Sequence, residues 1–131
     1  MLVRVRGDSM SPTLVHGDRV LVSRVYHSQT LSRGEIVVLR RDESALLPSG
    51  IAASVRWRVA VEAVTVDFIK RLVALPGDPV PLSVRPAVNG ASVVPAGLVV
   101  VLGDNIKSAD SRSWGFVPAA DVLGVVRAKV S

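Results

Sequence analysis

The sequence predicts a mostly β fold, a single compact domain of coiled antiparallel β-sheets spanning residues 1–131. Three observations lead there. Short valine-rich runs recur along the chain, and β-branched residues suit a pleated, half-buried surface. Glycine, proline and aspartate stand between those runs, where a chain turns. The 131 residues are 49% hydrophobic and 21% charged, which supplies one core and argues against a disordered chain.

Met1 to Arg6 carries arginines with no apolar segment behind them, so it does not read as a signal peptide. A turn at Gly17-Asp18 precedes a strand over residues 19–25, and Arg33-Gly34 precedes another over 35–40. Residues 42–54 read as a surface loop. Residues 55–74 form the longest nearly unbroken run, one strand or a hairpin, with Trp57, Val59 and Val61 alternating among Arg56, Arg58 and Glu62. Residues 86–103 are uncharged, but Pro86, Pro95, Asn89 and three glycines interrupt them. A spanning helix needs about 20 mostly apolar residues. The stretch therefore reads as two strands and a turn, one strand covering 99–102 ahead of Gly103-Asp104. Brief helical turns are expected over 108–112 and 118–122. No transmembrane segment is expected.

Composition removes several chemistries. With no cysteine, there is no disulfide framework, thiolate nucleophile, cysteine zinc site or iron–sulfur cluster. Two histidines, His16 and His27, are too few for the common metal constellations, so no metal and no cofactor is expected. The charge is +5, with 13 arginines among 16 basic residues, but the arginines scatter and aromatics are 4%, too few for a base-stacking platform. A solvated basic surface is expected, without nucleic acid as partner.

Two segments carry chemistry. Residues 7–13 hold Ser9, Ser11 and Thr13 beside Gly7 and Pro12. Lys70 lies among Phe68, Ile69, Leu72 and Val73, an unusual setting for a lysine, since lysines are rarely buried. A serine hydroxyl becomes a useful nucleophile when a base removes its proton. A lysine can be that base when burial keeps it neutral. Backbone N–H groups in a glycine-bearing loop commonly form the oxyanion hole. His16 is the other candidate base, but nothing in the sequence places it against Ser9, and Lys70 is preferred.

Gly7-Asp8-Ser9-Met10-Ser11-Pro12-Thr13-Leu14, followed by Gly17-Asp18, resembles the nucleophile box of type I signal peptidases. The segment from Lys70-Arg71-Leu72 to Pro76-Gly77-Asp78 resembles their general-base box. Gly103-Asp104-Asn105 with Ser108-Ala109-Asp110-Ser111-Arg112-Ser113-Trp114-Gly115 resembles their closing box. The three stand in the family's order, and Asn89-Gly90 lies where the family has a small hairpin. The resemblance implies Ser9 as nucleophile and Lys70 as general base. It implies Ser108 as the serine that orients the lysine, and Asp110 with Arg112 as an ion pair bracing the site. Gly7, Asp8 and Met10 would shape the nucleophile loop, with the Ser9 N–H in the oxyanion hole. The implied fold, like that of repressor-type Ser–Lys proteases, is mostly β. The implied activity is serine endopeptidase cleavage of a leader or propeptide after a small residue, typically with Ala at the first and third positions before the cut.

The chain departs from the family at four places, the largest being the N-terminus, where signal peptidases have a membrane-spanning segment before the nucleophile box and this sequence has eight residues before Ser9. Gly7 stands where some members carry an oxyanion-hole serine. Ile106 replaces the usual arginine. Only two residues separate Asn105 from Ser108, where three are usual. In size and layout the chain resembles a branch without the usual anchor, the maturation proteases of nickel-type superoxide dismutase. That branch implies the dismutase precursor as partner and a cytoplasmic location. Three alternatives stand beside it. One is a signal peptidase acting on secretory preproteins, membrane-associated through a missing or partner-supplied anchor or by peripheral contact. Another is a self-cleaving repressor-type protease, disfavoured because the segment it would cut is absent upstream. The third is a non-catalytic basic binding module.

Overall fold

The computed structural model describes residues 1–26, 30–42 and 65–131. The loop read over 42–54, the first part of the 55–74 run and His27 lie outside the described residues, apart from Asp42 and the strand that starts at Thr65. Seven strands are described: β1 (Leu2–Arg4), β2 (Arg19–Arg24), β3 (Ile36–Asp42), β4 (Thr65–Ala74), β5 (Leu98–Leu102), β6 (Val117–Pro118) and β7 (Val122–Lys129). They form one antiparallel sheet in the order β1-β2-β7-β3-β4-β5-β6, where the sequence suggested several sheets. The mostly β expectation holds. Register shifts at Leu21/Val22, Val38/Leu39 and Leu72/Ala74 place bulges in three of the ladders. Bulges increase local twist and bend a strand.

Alternation explains the burial. In β2, Val20 and Val22 are buried while Arg19, Leu21 and Ser23 are exposed. β3 lies between β7 and β4, and its Val37, Val38 and Leu39 are all buried, as expected of an interior strand covered on both faces. One core cluster centres on Leu39, Leu72, Val99, Val101 and Val117. A second packs Val5, Met10, Leu14, Val20, Val22 and Val38. A third gathers Ala74, Val80, Val84, Val94 and Val100.

The 86–103 stretch differs from its prediction of two strands and a turn. Arg85–Val88 is a 3-10 helix with Pro in its first positions, and Asn89 (φ 56°) ends it in the left-handed region. Proline has no N–H for a sheet ladder but fits a helix's first turn. A small hairpin does exist. It pairs residues 77–80 with 92–94, through Val80 N–H to the Ser92 carbonyl and Val94 N–H to the Asp78 carbonyl, both 2.9 Å. Asn89-Gly90 closes the 3-10 turn within that hairpin's loop. The expected turn over 108–112 is helix α1, Ser111–Trp114, and that over 118–122 is the 3-10 helix Ala119–Asp121. β1, β6 and β7 were not anticipated, and Pro118, read into the turn over 118–122, belongs to β6. Among the described residues no helix is long and apolar enough to cross a membrane.

Three pieces of this fold meet at one place: the loop joining β1 to β2, the middle of β4, and the segment leaving β5. β4 pairs with β3 on one side and β5 on the other, so Arg71 lies opposite both Ile36 and Leu102.

Candidate active site

The β1–β2 loop is closed at its base and pinned to the core. Val5 N–H donates to the Asp18 carbonyl (2.8 Å), and Gly17 N–H donates to the Val5 carbonyl (2.9 Å). Farther out, Ser11 N–H donates to the Asp8 carbonyl (3.1 Å) and Leu14 N–H to the Met10 carbonyl (2.9 Å). Met10 and Leu14 are buried in the second core cluster, so Met10 anchors the loop by packing. Ser9, between these anchors, is half-buried. Its Oγ lies 3.5 Å from the carbonyl oxygen of Ile69, a long contact that sets the hydroxyl against β4 one residue from Lys70.

Lys70 is 2% exposed. Alternation along β4 gives it the same face as Phe68 and Leu72. Its Nζ lies 5.8 Å from the Phe68 ring centroid and 5.5 Å from that of Trp114. Those two rings meet edge to face at 5.2 Å, and the Arg41 guanidinium covers Trp114 at 4.2 Å. Burial lowers the Lys70 pKa, the nearby Asp110 carboxylate opposes that, and Arg112 lowers it further.

The segment after β5 forms the floor. Gly103 N–H donates to Asp110 Oδ2 at 2.8 Å. Ser108 Oγ donates to the same oxygen (2.8 Å) and accepts from an Arg112 NH2 group (3.2 Å), so its hydrogen bonds go to the ion pair rather than to Lys70. Arg112 holds Asp110 with two side-chain bonds, Nε at 2.9 Å and NH2 at 2.6 Å, and its backbone N–H adds a third at 3.0 Å. Asp110 is fully buried. Burial would raise its pKa, but the bonds from Arg112, the Gly103 and Arg112 amides and Ser108 outweigh it and hold the carboxyl down at about 2. The short Asn105–Ser108 spacing is accommodated as a tight turn, with Ser108 N–H on the Asn105 carbonyl and Lys107 N–H on Asn105 Oδ1, both 3.0 Å.

This floor is tied to the nucleophile loop. Asn105 N–H donates to the Ser9 carbonyl at 2.9 Å, and Asn105 Nδ2 donates to the Asp8 carbonyl at 3.0 Å. Thr13 Oγ1 donates to Asp104 Oδ2 at 2.6 Å. Arg71 grips both oxygens of Asp104, at 2.9 and 2.8 Å, and also reaches the Gly34 carbonyl at 2.7 Å. Gly103 lies in the closest approach: a Cβ there would overlap Ser108 Oγ and stand 2.5 Å from the Ser9 carbonyl oxygen.

Ser9, Lys70, Ser108, Asp110 and Arg112 are therefore assembled from segments distant in sequence. His16 is not presented to Ser9 as a base through Nδ1, because that nitrogen accepts the Gly7 N–H at 2.9 Å. Gly7 for the same reason has no N–H to offer an oxyanion, whereas the Ser9 N–H makes no hydrogen bond among the described residues. Arg71, Asp104, Asn105 and Thr13 went unassigned at the sequence level, although all four sit inside the three motif segments. Ser111, whose buried Oγ accepts the Val101 N–H at 3.0 Å, was also unassigned.

The chain is similar to known proteins. The family model described as signal peptidase, peptidase S26, matches residues 1–88 and 82–131. A probable signal peptidase I-1 of Synechocystis sp. is 35% identical over 92% of this chain and 65% of its own. A signal peptidase I of Leptolyngbya laminosa is 29% identical over 92% of this chain and 63% of its own. Signal peptidase I V of Bacillus subtilis is 30% identical over 94% of this chain and 81% of its own. The chain thus spans less than two thirds of the length of the first two relatives. A signal peptidase I crystal structure from Enterococcus faecalis V583 matches with a TM-score of 0.43 and 20% identity, over 75% of this chain and 97% of that one. On the match of the family model along its length, the chain belongs to the signal peptidase, peptidase S26, family.

Proposed function

We propose that this chain is a serine endopeptidase that removes N-terminal segments from precursor proteins with Ser9 as nucleophile and Lys70 as general base. The observation that carries the reading is the buried, pKa-lowered Lys70 one residue from the carbonyl against which the Ser9 hydroxyl rests. A lysine held toward its neutral form accepts a proton; an exposed one at neutral pH does not.

The steps follow from these groups. Rotation about the Ser9 Cα–Cβ bond turns Oγ from the Ile69 carbonyl toward Lys70. Oγ attacks the scissile carbonyl while Nζ takes its proton. The Ser9 N–H stabilises the oxyanion. On collapse, Nζ returns the proton to the departing amine, leaving an acyl-enzyme. Water, deprotonated by Lys70, then releases the acid and regenerates Ser9. Asp110, Arg112 and Ser108 hold the floor on which the loop and β4 keep their separation, and no step requires a metal or cofactor.

The substrate assignment is finer and rests on the resemblance to the dismutase maturation branch: a nickel-type superoxide dismutase precursor, cut after a small residue in the cytoplasm. Intact-mass analysis of that precursor and of a secretory preprotein, after incubation with wild type, Ser9→Ala and Lys70→Ala, tests both levels. A discrete N-terminal loss with wild type and with neither variant is the expected result. Cleavage of the preprotein alone would overturn the substrate assignment. Loss that persists in Lys70→Ala would remove lysine as the base. Turnover is expected to rise with pH as Lys70 deprotonates, and an optimum below about pH 6 would contradict a lysine base.

A further inference from the structure

The nucleophile loop is held unevenly. From Asp8 onward it has several anchors: Asn105 on the carbonyls of both Asp8 and Ser9, and Met10 and Leu14 in the core. The upstream arm has much less. Gly7 is exposed, adopts φ +80°, and has no atom within 4 Å of where a Cβ would lie, so packing does not hold it. A glycine in open space samples both signs of φ about equally. What restrains Gly7 is a single bond, its N–H donated to His16 Nδ1 at 2.9 Å across the loop.

We propose that His16 is a positioning residue for the Ser9 nucleophile, acting through the Gly7 backbone. This rests on the reading of Ser9 given above. An imidazole accepting at Nδ1 is neutral and carries its proton on Nε2. In that form it continues the closure made at Val5 and Gly17 by one more rung, and fixes the arm two residues before Ser9.

The test uses the chemistry of the acceptor. The Asn side-chain oxygen occupies roughly the place of Nδ1, whereas that of Gln reaches toward Nε2. Turnover of an internally quenched peptide with Ala at the first and third positions before the cut is measured at a pH where wild type is fully active. His16→Ala is expected to lower kcat about three- to tenfold, the weight of one ordinary hydrogen bond, with KM changed by less than about twofold. His16→Asn restores kcat and His16→Gln does not. The Gly7 amide proton resonance shifts in His16→Ala and keeps its place in His16→Asn, a readout independent of activity. Wild-type kcat in His16→Ala, or equal impairment in His16→Asn, would overturn the proposal. Wild-type turnover in Ser9→Ala would instead defeat the nucleophile reading and leave the amide measurement to judge the clamp.

Discussion

Replacing Gly103 by alanine probes the point where the three segments of the site press together. The added methyl would coincide with Ser108 Oγ and stand 2.5 Å from the Ser9 carbonyl oxygen and 2.6 Å from Ser108 Cβ. Neither neighbour is free to retreat. The Ser9 carbonyl is tied to Asn105 N–H at 2.9 Å, and Ser108 is tied to Asp110 at 2.8 Å. The structure therefore opens by something near an ångström and strains or breaks one of those bonds. Overpacking of this kind costs about 1–3 kcal/mol, and a lost hydrogen bond about 1 more, so about 2–4 kcal/mol in total. Scaled by the usual entropy of unfolding per residue, that lowers Tm by roughly 7–15 °C. The displaced group is the backbone of Ser9 itself, so kcat should fall by more than about 100-fold, beyond what the stability loss explains. Thermal melts and peptide turnover measured well below Tm give the two numbers separately. Because the backbone at Gly103 is not in the left-handed region, strain there cannot account for either effect. A Gly103→Ala protein with wild-type Tm and kcat would refute the placement of Gly103 between Ser9 and Ser108.

Lys70→Met should abolish turnover yet raise Tm near neutral pH. The folded-state pKa of Lys70 lies below its ordinary 10.5, so as pH falls from there the unfolded chain takes the proton first and the fold loses stability, a penalty methionine removes. A Tm unchanged or lowered in Lys70→Met would contradict that burial. Asp110 has the opposite sign: its carboxyl is depressed from 3.8 to about 2, so its stabilisation is complete above about pH 4 and gone below about pH 2. The shift corresponds to about 2 kcal/mol. Acid denaturation of wild type should thus exceed that of Asp110→Asn between those limits, and parallel acid curves would refute the assignment.

Much of the candidate site is legible in the chain because it is built from short, contiguous segments. Lys70 in an apolar run draws notice by itself, Ser9 is singled out by the resemblance of its loop to the nucleophile box, and the 108–112 segment carries its ion pair within three residues. What escaped notice were residues whose roles exist only between segments. Thr13 and Asp104 are 91 positions apart, and Arg71 and Asp104 are 33 apart. The 86–103 stretch reads as two strands and a turn, but Pro86, with no N–H for a sheet ladder, sits in the first turn of the 3-10 helix Arg85–Val88.

The sequence by itself determined the mostly β class, since valine-rich runs separated by turn residues bury well as strands and poorly as helices. It also determined which residue types could do chemistry, with no cysteine and only three lysines. The tertiary structure alone decided that β7, the last strand, pairs between β2 and β3 near the middle of the sheet, and that Ser108 turns to Asp110. It alone decided that His16 is spent on Gly7. The reason is physical. Strand propensity and turn chemistry act over a few residues, whereas pairing order, and the partner a hydroxyl or an imidazole finds, depend on which distant segments the core brings within about 3 Å.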